Sequence, residues 1–196
     1  MAESTAIHSL AGASPGGHMK RRYCAAKPFD HFLRDVQNNA QLWRAVARRA
    51  DVPREWVDRM QAIAGRWHLL ILVEDWCGDA VHTLPVLAKL AELAGNVDLR
   101  VLSRDANPDL MNAHLSPTGG RAIPVVLVLD ECFAERGWWG SRPHELQHWF
   151  REAGLAMSSE DRYLEMRRWY TRDRGISAVR EIVELLERAA QPVLAA

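Results

Sequence analysis

Leu69-Leu70-Ile71-Leu72-Val73-Glu74-Asp75-Trp76-Cys77-Gly78-Asp79-Ala80 is the stretch on which the reading of this 196-residue chain turns. Its first five residues are apolar without alternation, the pattern of a strand buried on both faces. The pattern then changes period. Val81, Leu84, Leu87, Ala88 and Ala91 recur at helical spacing as far as about Ala94. Cys77 therefore sits where a buried strand ends and a helix begins. Backbone N–H groups of a first helical turn point toward such a sulfur, and the helix dipole favours its thiolate. Pro85 falls inside the helix, where it is expected to kink it.

Working outward, Val97 to Leu102 alternates as a second strand, so strand, helix and strand form a right-handed parallel unit. Asn107 to His114 reads as a short helix and Pro117 to Gly120 as a turn. Ile123-Pro124 directly precedes Val125 to Leu129, a branched strand. Proline cannot donate to a ladder there, and the position suits a cis bond. Asp130-Glu131 turns the chain into a short return strand, Glu135 to Trp139, completing an antiparallel hairpin. Ser141 is the expected cap of a helix carrying Leu146, Trp149 and Phe150.

Helices flank this core. Phe29, Phe32, Leu33, Val36, Ala40, Trp43 and Ala47 define one buried stripe, and Trp56, Met60, Ile63, Ala64 and Trp67 a second. Asp51 is the expected cap of the second helix, with Pro53 in its first turn. After the core, Tyr163, Met166 and Tyr170 share one helical face, and Ile176, Val179, Val183 and Leu186 another. Gly175 breaks the chain between them. The expected organisation is a tail over 1–27, read as disordered from its Gly, Ser and Ala content, then one domain over 28–190. That domain divides into a helical pair (29–67), a core (68–154) and a C-terminal helical pair (159–190).

Composition bounds the function. Lys plus Arg and Asp plus Glu number 25 each, so the chain lacks the basic surplus of a nucleic-acid binder. Arginines at Arg44, Arg48 and Arg49 and from Arg167 to Arg174 read as solvated helix faces. No apolar run approaches the ~18 residues of a membrane span, and no signal-peptide pattern follows Lys20-Arg21-Arg22. Neither nucleic acid nor membrane is an expected partner. Cys24, Cys77 and Cys132 are an odd set, read as reduced thiols of a cytoplasmic protein.

Three features together resemble thioredoxins. Trp76-Cys77-Gly78-Asp79-Ala80 looks like their Trp-Cys-Gly-Pro-Cys site, Pro85 like the proline of their active-site helix, and Ile123-Pro124 like their Ile and cis-proline. Four segments are similar to a bacterial thioredoxin-like family of about this length. They are Glu74 to Asp79, Leu84-Pro85-Val86, Gly119 to Pro124, and Trp139-Gly140-Ser141-Arg142-Pro143. Trp169-Tyr170-Thr171-Arg172-Asp173-Arg174-Gly175 adds a fifth. The resemblance implies an α/β thioredoxin fold, a central four-stranded mixed sheet with flanking helices, here with extra N- and C-terminal helices. It places Cys77 as nucleophile and Trp76, Gly78, Asp79, Ala80, Ile123 and Pro124 around a bound partner.

The departure is Ala80, which stands where a dithiol enzyme has its resolving thiol, so a mixed disulfide cannot be released from within. Cys132, some 20–25 Å from Pro124 at about 3.3 Å per residue, is expected at the opposite end of the sheet. Cys24 reaches Cys77 only if the tail folds back. Glu74, Asp75 and Asp79 are expected to raise the Cys77 pKa while the helix start lowers it. Three functions follow. One is a monothiol redox protein acting on a protein or small disulfide, sulfenic acid or peroxide, resolved by glutathione or a similar thiol. In it His82 is a possible proton relay, although a solvated helix position is the plainer reading. The second is a redox-inactive module binding an extended peptide in the Cys77–Pro124 groove. The third, a zinc site from Asp75, Cys77, Asp79 and His82, fits no familiar ligand spacing. No cofactor or metal is expected.

Overall fold

The computed structural model describes residues 15–191. Its sheet has five strands in the order β1-β3-β2-β4-β5: β1 Lys27–Pro28, β2 Trp67–Val73, β3 Val97–Ser103, β4 Val125–Leu129 and β5 Glu135–Gly140. β2 and β3 are parallel in register Trp67↔Val97, and β4 pairs antiparallel with both β2 and β5. The four expected strands form the body of the sheet, and β1 adds a two-residue antiparallel edge on β3. β2 and β4 are central, which explains their unbroken apolar runs: Leu69 to Leu72 and Val126 to Leu129 are fully buried.

The helices are α1 Pro15–Ala25, α2 Phe29–Asp35, α3 Ala40–Arg49, α4 Arg54–Ala62, α5 Gly78–Ala94, α6 Pro108–Ala113, α7 His144–Glu152, α8 Ser159–Asp173 and α9 Ile176–Ala190. Among the described residues no helix is long and apolar enough to cross a membrane. α5 is the hub, packed against α3, α4, α9 and β3. It runs through Pro85 without interruption, and Thr83 donates its buried hydroxyl to the Asp79 carbonyl.

Several expectations are corrected. The tail is not structureless over 15–27. Tyr23 of α1 is buried against the rings of His68 and Phe133 and donates to Asp98 at 2.8 Å, energy that polar composition alone does not reveal. Residues 1–14 of that tail lie outside the described residues. The first stripe is two helices, because Gln37 and Asn38 direct their backbone N–H groups to the Asp75 carboxylate, both at 2.9 Å, and Asn39 turns left-handed. Asp51 does not cap α4. Its carboxylate accepts from Val52, and Pro53 takes the cap position. Trp67 opens β2 instead of closing the helical stripe. Ser141 caps nothing, since Pro143 precedes α7.

The C-terminal pair is tied into this frame at three places. Arg59 of α4 grips Glu187 with two hydrogen bonds, at 2.9 and 2.6 Å, and stacks on Trp56. Glu181 accepts from the Trp139 indole at 2.6 Å and the His144 amide at 2.8 Å, joining α9 to β5 and to the start of α7. Ile182, Val183 and Leu186 are fully buried, each such burial contributing roughly 1.5–3 kcal/mol.

Gly175, at the elbow between α8 and α9, has φ +81 and lies against α5. A Cβ there would come within 2.7 Å of the Val86 side chain and 2.9 Å of the His82 carbonyl. Gly175→Ala is therefore expected to lose roughly 1–3 kcal/mol through backbone strain and lost contact. Gly78→Ala, where a Cβ meets nothing within 4 Å, should be close to neutral. Urea unfolding of both variants checks the contrast. Equal midpoints would mean that the elbow does not fix α8 on α5.

Candidate functional site

The loop Glu74 to Cys77 leaves the end of β2 and is fastened on each side before α5 begins. Asp75 receives the Gln37 and Asn38 amides, and its own carbonyl accepts from the buried Trp43 indole at 2.8 Å. The Glu74 carboxylate accepts from the Ser103 hydroxyl at 2.8 Å and the Asp105 amide at 2.9 Å. So two of the three acids expected to burden Cys77 are engaged with other elements, and neither is among the groups that shift its thiol.

Cys77 precedes α5 as its cap residue and is only 6% exposed. Its thiol donates to the Ile123 carbonyl at 3.3 Å, immediately before Pro124, whose peptide bond is cis. Burial pushes the thiol up to about 11, and the Asp79 carboxylate adds to the effect. The Ala80 and Asp79 amides at the helix start and the Arg142 guanidinium pull the other way and lose. Ala80, at the resolving position, is wholly buried.

Asp79 is the third acid and the unexpected one. In place of decorating an exposed first turn it is 8% exposed, ion-paired to Arg142 at 2.8 Å and hydrogen-bonded by the Tyr170 hydroxyl at 2.9 Å. Burial pushes its carboxyl above the ordinary range against the pull of both partners, and holds the Tyr170 hydroxyl protonated. Arg142 is itself placed over the Phe150 ring at 4.3 Å and donates to Gln147. Just before Arg142, Gly140 lets the end of β5 lie against Pro124, because a Cβ there would stand 2.6 Å from the Pro124 carbonyl. Tyr170 comes from α8, where it packs with Leu146 and Met166 in a small second core.

His82 is partly buried and borders the cleft. Its ring stacks on Tyr170 at 4.7 Å, and burial, helped by Arg167, lowers its pKa to about 4, so it is neutral at pH 7. The zinc quartet of Asp75, Cys77, Asp79 and His82 does not converge, since the Asp75 carboxylate faces Gln37 and Asn38 in the turn between α2 and α3. Among the described residues no group of three or more His, Cys, Asp or Glu is placed to hold a metal. Cys24 and Cys132 are exposed; Tyr23 and Phe133 beside them meet at His68, near the start of β2, whereas Cys77 follows its end.

Cys77 forms part of the floor of an open cleft of about 650 Å³ bounded by Trp76, Gly78, Ile123 and the α8 side chains Tyr163, Met166 and Tyr170. Trp76 is half exposed, with the Arg104 guanidinium 5.0 Å from its ring centre. The sequence reading located Cys77, Trp76, Gly78, Asp79, Ile123 and Pro124 in one place but gave no role to Arg142 or Tyr170. Arg142 belongs to the segment Trp139 to Pro143, and Tyr170 to Trp169 to Gly175 and to the helical face with Tyr163 and Met166; these prove to be the two segments that meet Asp79.

Asp79→Asn removes the anion beside the sulfur and is expected to lower the pH midpoint of Cys77 alkylation relative to wild type, measured in a Cys24→Ser, Cys132→Ser background. An unchanged midpoint would mean that burial alone sets the thiol.

Residues 26–170 match the thioredoxin family model. A crystal structure of a protein of unknown function from Pseudomonas aeruginosa is similar with TM-score 0.67 at 23% identity, covering 85% of this chain and 95% of that one. An HIV epitope scaffold is similar with TM-score 0.66 at 23% identity, covering 86% of this chain and 97% of that one. No curated protein matches. At such identity the two structures speak to fold alone. The family match runs from the edge strand through Cys77 and Pro124 to Tyr170, and on that span the chain belongs to the thioredoxin family.

Proposed function

We propose that this protein uses the thioredoxin frame as a binding module, with Cys77 as a neutral contact at the floor of the cleft. One observation carries the reading: the only cysteine at the cleft among the described residues is buried and donates its proton to the Ile123 carbonyl, while Ala80 occupies the resolving position. A thiol held near 11 is almost wholly protonated at pH 7, and the thiol form is not the nucleophile. The fastened loop still sets Trp76, Cys77 and Gly78 along a cleft that Ile123 and α8 also border, a site for a partner independent of sulfur chemistry.

A second reading rests on the position of Cys77 at the start of the 17-residue helix α5, where two amides and Arg142 do favour the thiolate. In that reading Cys77 attacks a disulfide RSSR, forming Cys77–S–S–R and releasing RS⁻. An external thiolate R′S⁻, such as that of glutathione, then attacks the R sulfur of the mixed disulfide, forming R–S–S–R′ and releasing the Cys77 thiolate, so the net change is exchange of RS⁻ for R′S⁻ in the disulfide. Cytoplasmic location fits either reading, the reduced thiols being its basis.

The pH dependence of Cys77 alkylation separates them. With Cys24 and Cys132 replaced by Ser, the binding reading predicts slow labelling at pH 7 and a midpoint near 11. A midpoint below the ordinary cysteine value of ~8.5 would establish a poised thiolate and put the monothiol redox reading first.

A further inference from the structure

Four arginines border the cleft over Cys77: Arg104, Arg121, Arg142 and Arg167. They come from separate parts of the chain: the turn after β3, the loop before Pro124, the turn after β5, and α8. Two of them are neutralised locally. Arg142 pairs with Asp79, and Arg104 pairs with Asp105 at 2.8 Å while lying over Trp76. Arg121 and Arg167 make no ion pair or side-chain hydrogen bond among the described residues, although both border the same cavity. Among the described residues the only acid bordering the cavity besides Asp79 is Glu160, and Asp79 is already spent on Arg142 and Tyr170. In a chain with as many acids as bases, this concentration of cationic groups is local.

Resting on the binding reading above, we infer that the cleft takes a small organic anion of about tripeptide size carrying two carboxylates, one received by Arg121 and one by Arg167. The cavity volume, about 650 Å³, lies within the roughly 300–1,000 Å³ of small-molecule sites. A guanidinium meets a carboxylate through two parallel N–H groups, so free arginines select planar oxyanions over neutral groups. The exposed Trp76 and Tyr163 side chains border the same cavity as apolar walls, and the Cys77 sulfur offers a soft, uncharged floor. α8 supplies both Tyr163 and Arg167. The C-terminal extension thus converts an open thioredoxin groove into a site of defined size and charge.

The test is calorimetric titration of the full chain with S-methylglutathione, a tripeptide thioether that has two carboxylates and no reactive thiol. Saturable binding is expected, weakening as NaCl is raised. Arg121→Gln and Arg167→Gln should each lose at least about tenfold in affinity, the worth of one charge-assisted hydrogen bond. The dimethyl ester of the same tripeptide should bind at least about tenfold more weakly than the diacid, for the same reason. Absence of binding at millimolar concentration, or binding equal for diacid and diester, overturns the inference. So does affinity unchanged in both arginine variants, whose folding is verified by their urea midpoints. Cys77→Ser distinguishes the two readings. Binding retained in it supports both, whereas arginine-dependent binding that Cys77→Ser abolishes leaves the anion site standing and removes the passive role given to the sulfur.

Discussion

The buried carboxylate of Asp79 is the constraint around which the rest of the site is arranged. A carboxylate out of contact with water is expensive unless opposite charge and hydrogen-bond donors meet it. Here Arg142 and the Tyr170 hydroxyl do so, from the turn after β5 and from α8. The consequence is structural as much as electrostatic. Satisfying Asp79 obliges the hairpin end and the C-terminal extension to converge on the first turn of α5, beside Cys77. The Gly175 elbow and the Glu181 and Glu187 contacts hold the same extension from its other side.

This arrangement also decides the chemistry of Cys77. In a helix-start cysteine, amides and dipole favour the thiolate, and a nearby anion opposes it. Burial and Asp79 outweigh the amides, so the frame that activates a thiol in a dithiol enzyme holds a protonated one here. Ala80 at the resolving position accords with the proposed binding role. The clasp and the cleft share their parts, because Tyr170 and Arg142 both border the space above Cys77. The proposed binding site is thus built from the same contacts that raise the thiol pKa.

Much of the fold was legible because its signals are local. Buried runs such as Leu69 to Val73 and Val125 to Leu129 mark strands, and the period change at Cys77 marks the strand–helix junction. The failures are tertiary. A continuous stripe from Phe29 to Ala47 hides a break that exists only because Asp75 lies across from Gln37 and Asn38, 38 and 37 residues away respectively. The role of Asp79 depends on partners 63 positions further on, at Arg142, and 91 further on, at Tyr170. No periodicity encodes such pairings. His82 was misread for the same reason: its neighbour Tyr170 stacks on it from another helix. Composition also misses the helix Pro15–Ala25, whose anchors are tertiary: Tyr23 in the core, and Arg22 on Asn107 and Asp109.

The most direct test of this account is a double-mutant cycle on stability between Asp79 and Arg142, read by urea unfolding. Arg142→Gln alone strands a buried carboxylate and should cost about 3–5 kcal/mol. Adding Asp79→Asn removes that charge and should recover much of the loss, giving a coupling of roughly 1–3 kcal/mol between the two sites. Additive effects, agreeing within about 0.5 kcal/mol, would contradict the claim that the Asp79 clasp holds the site together.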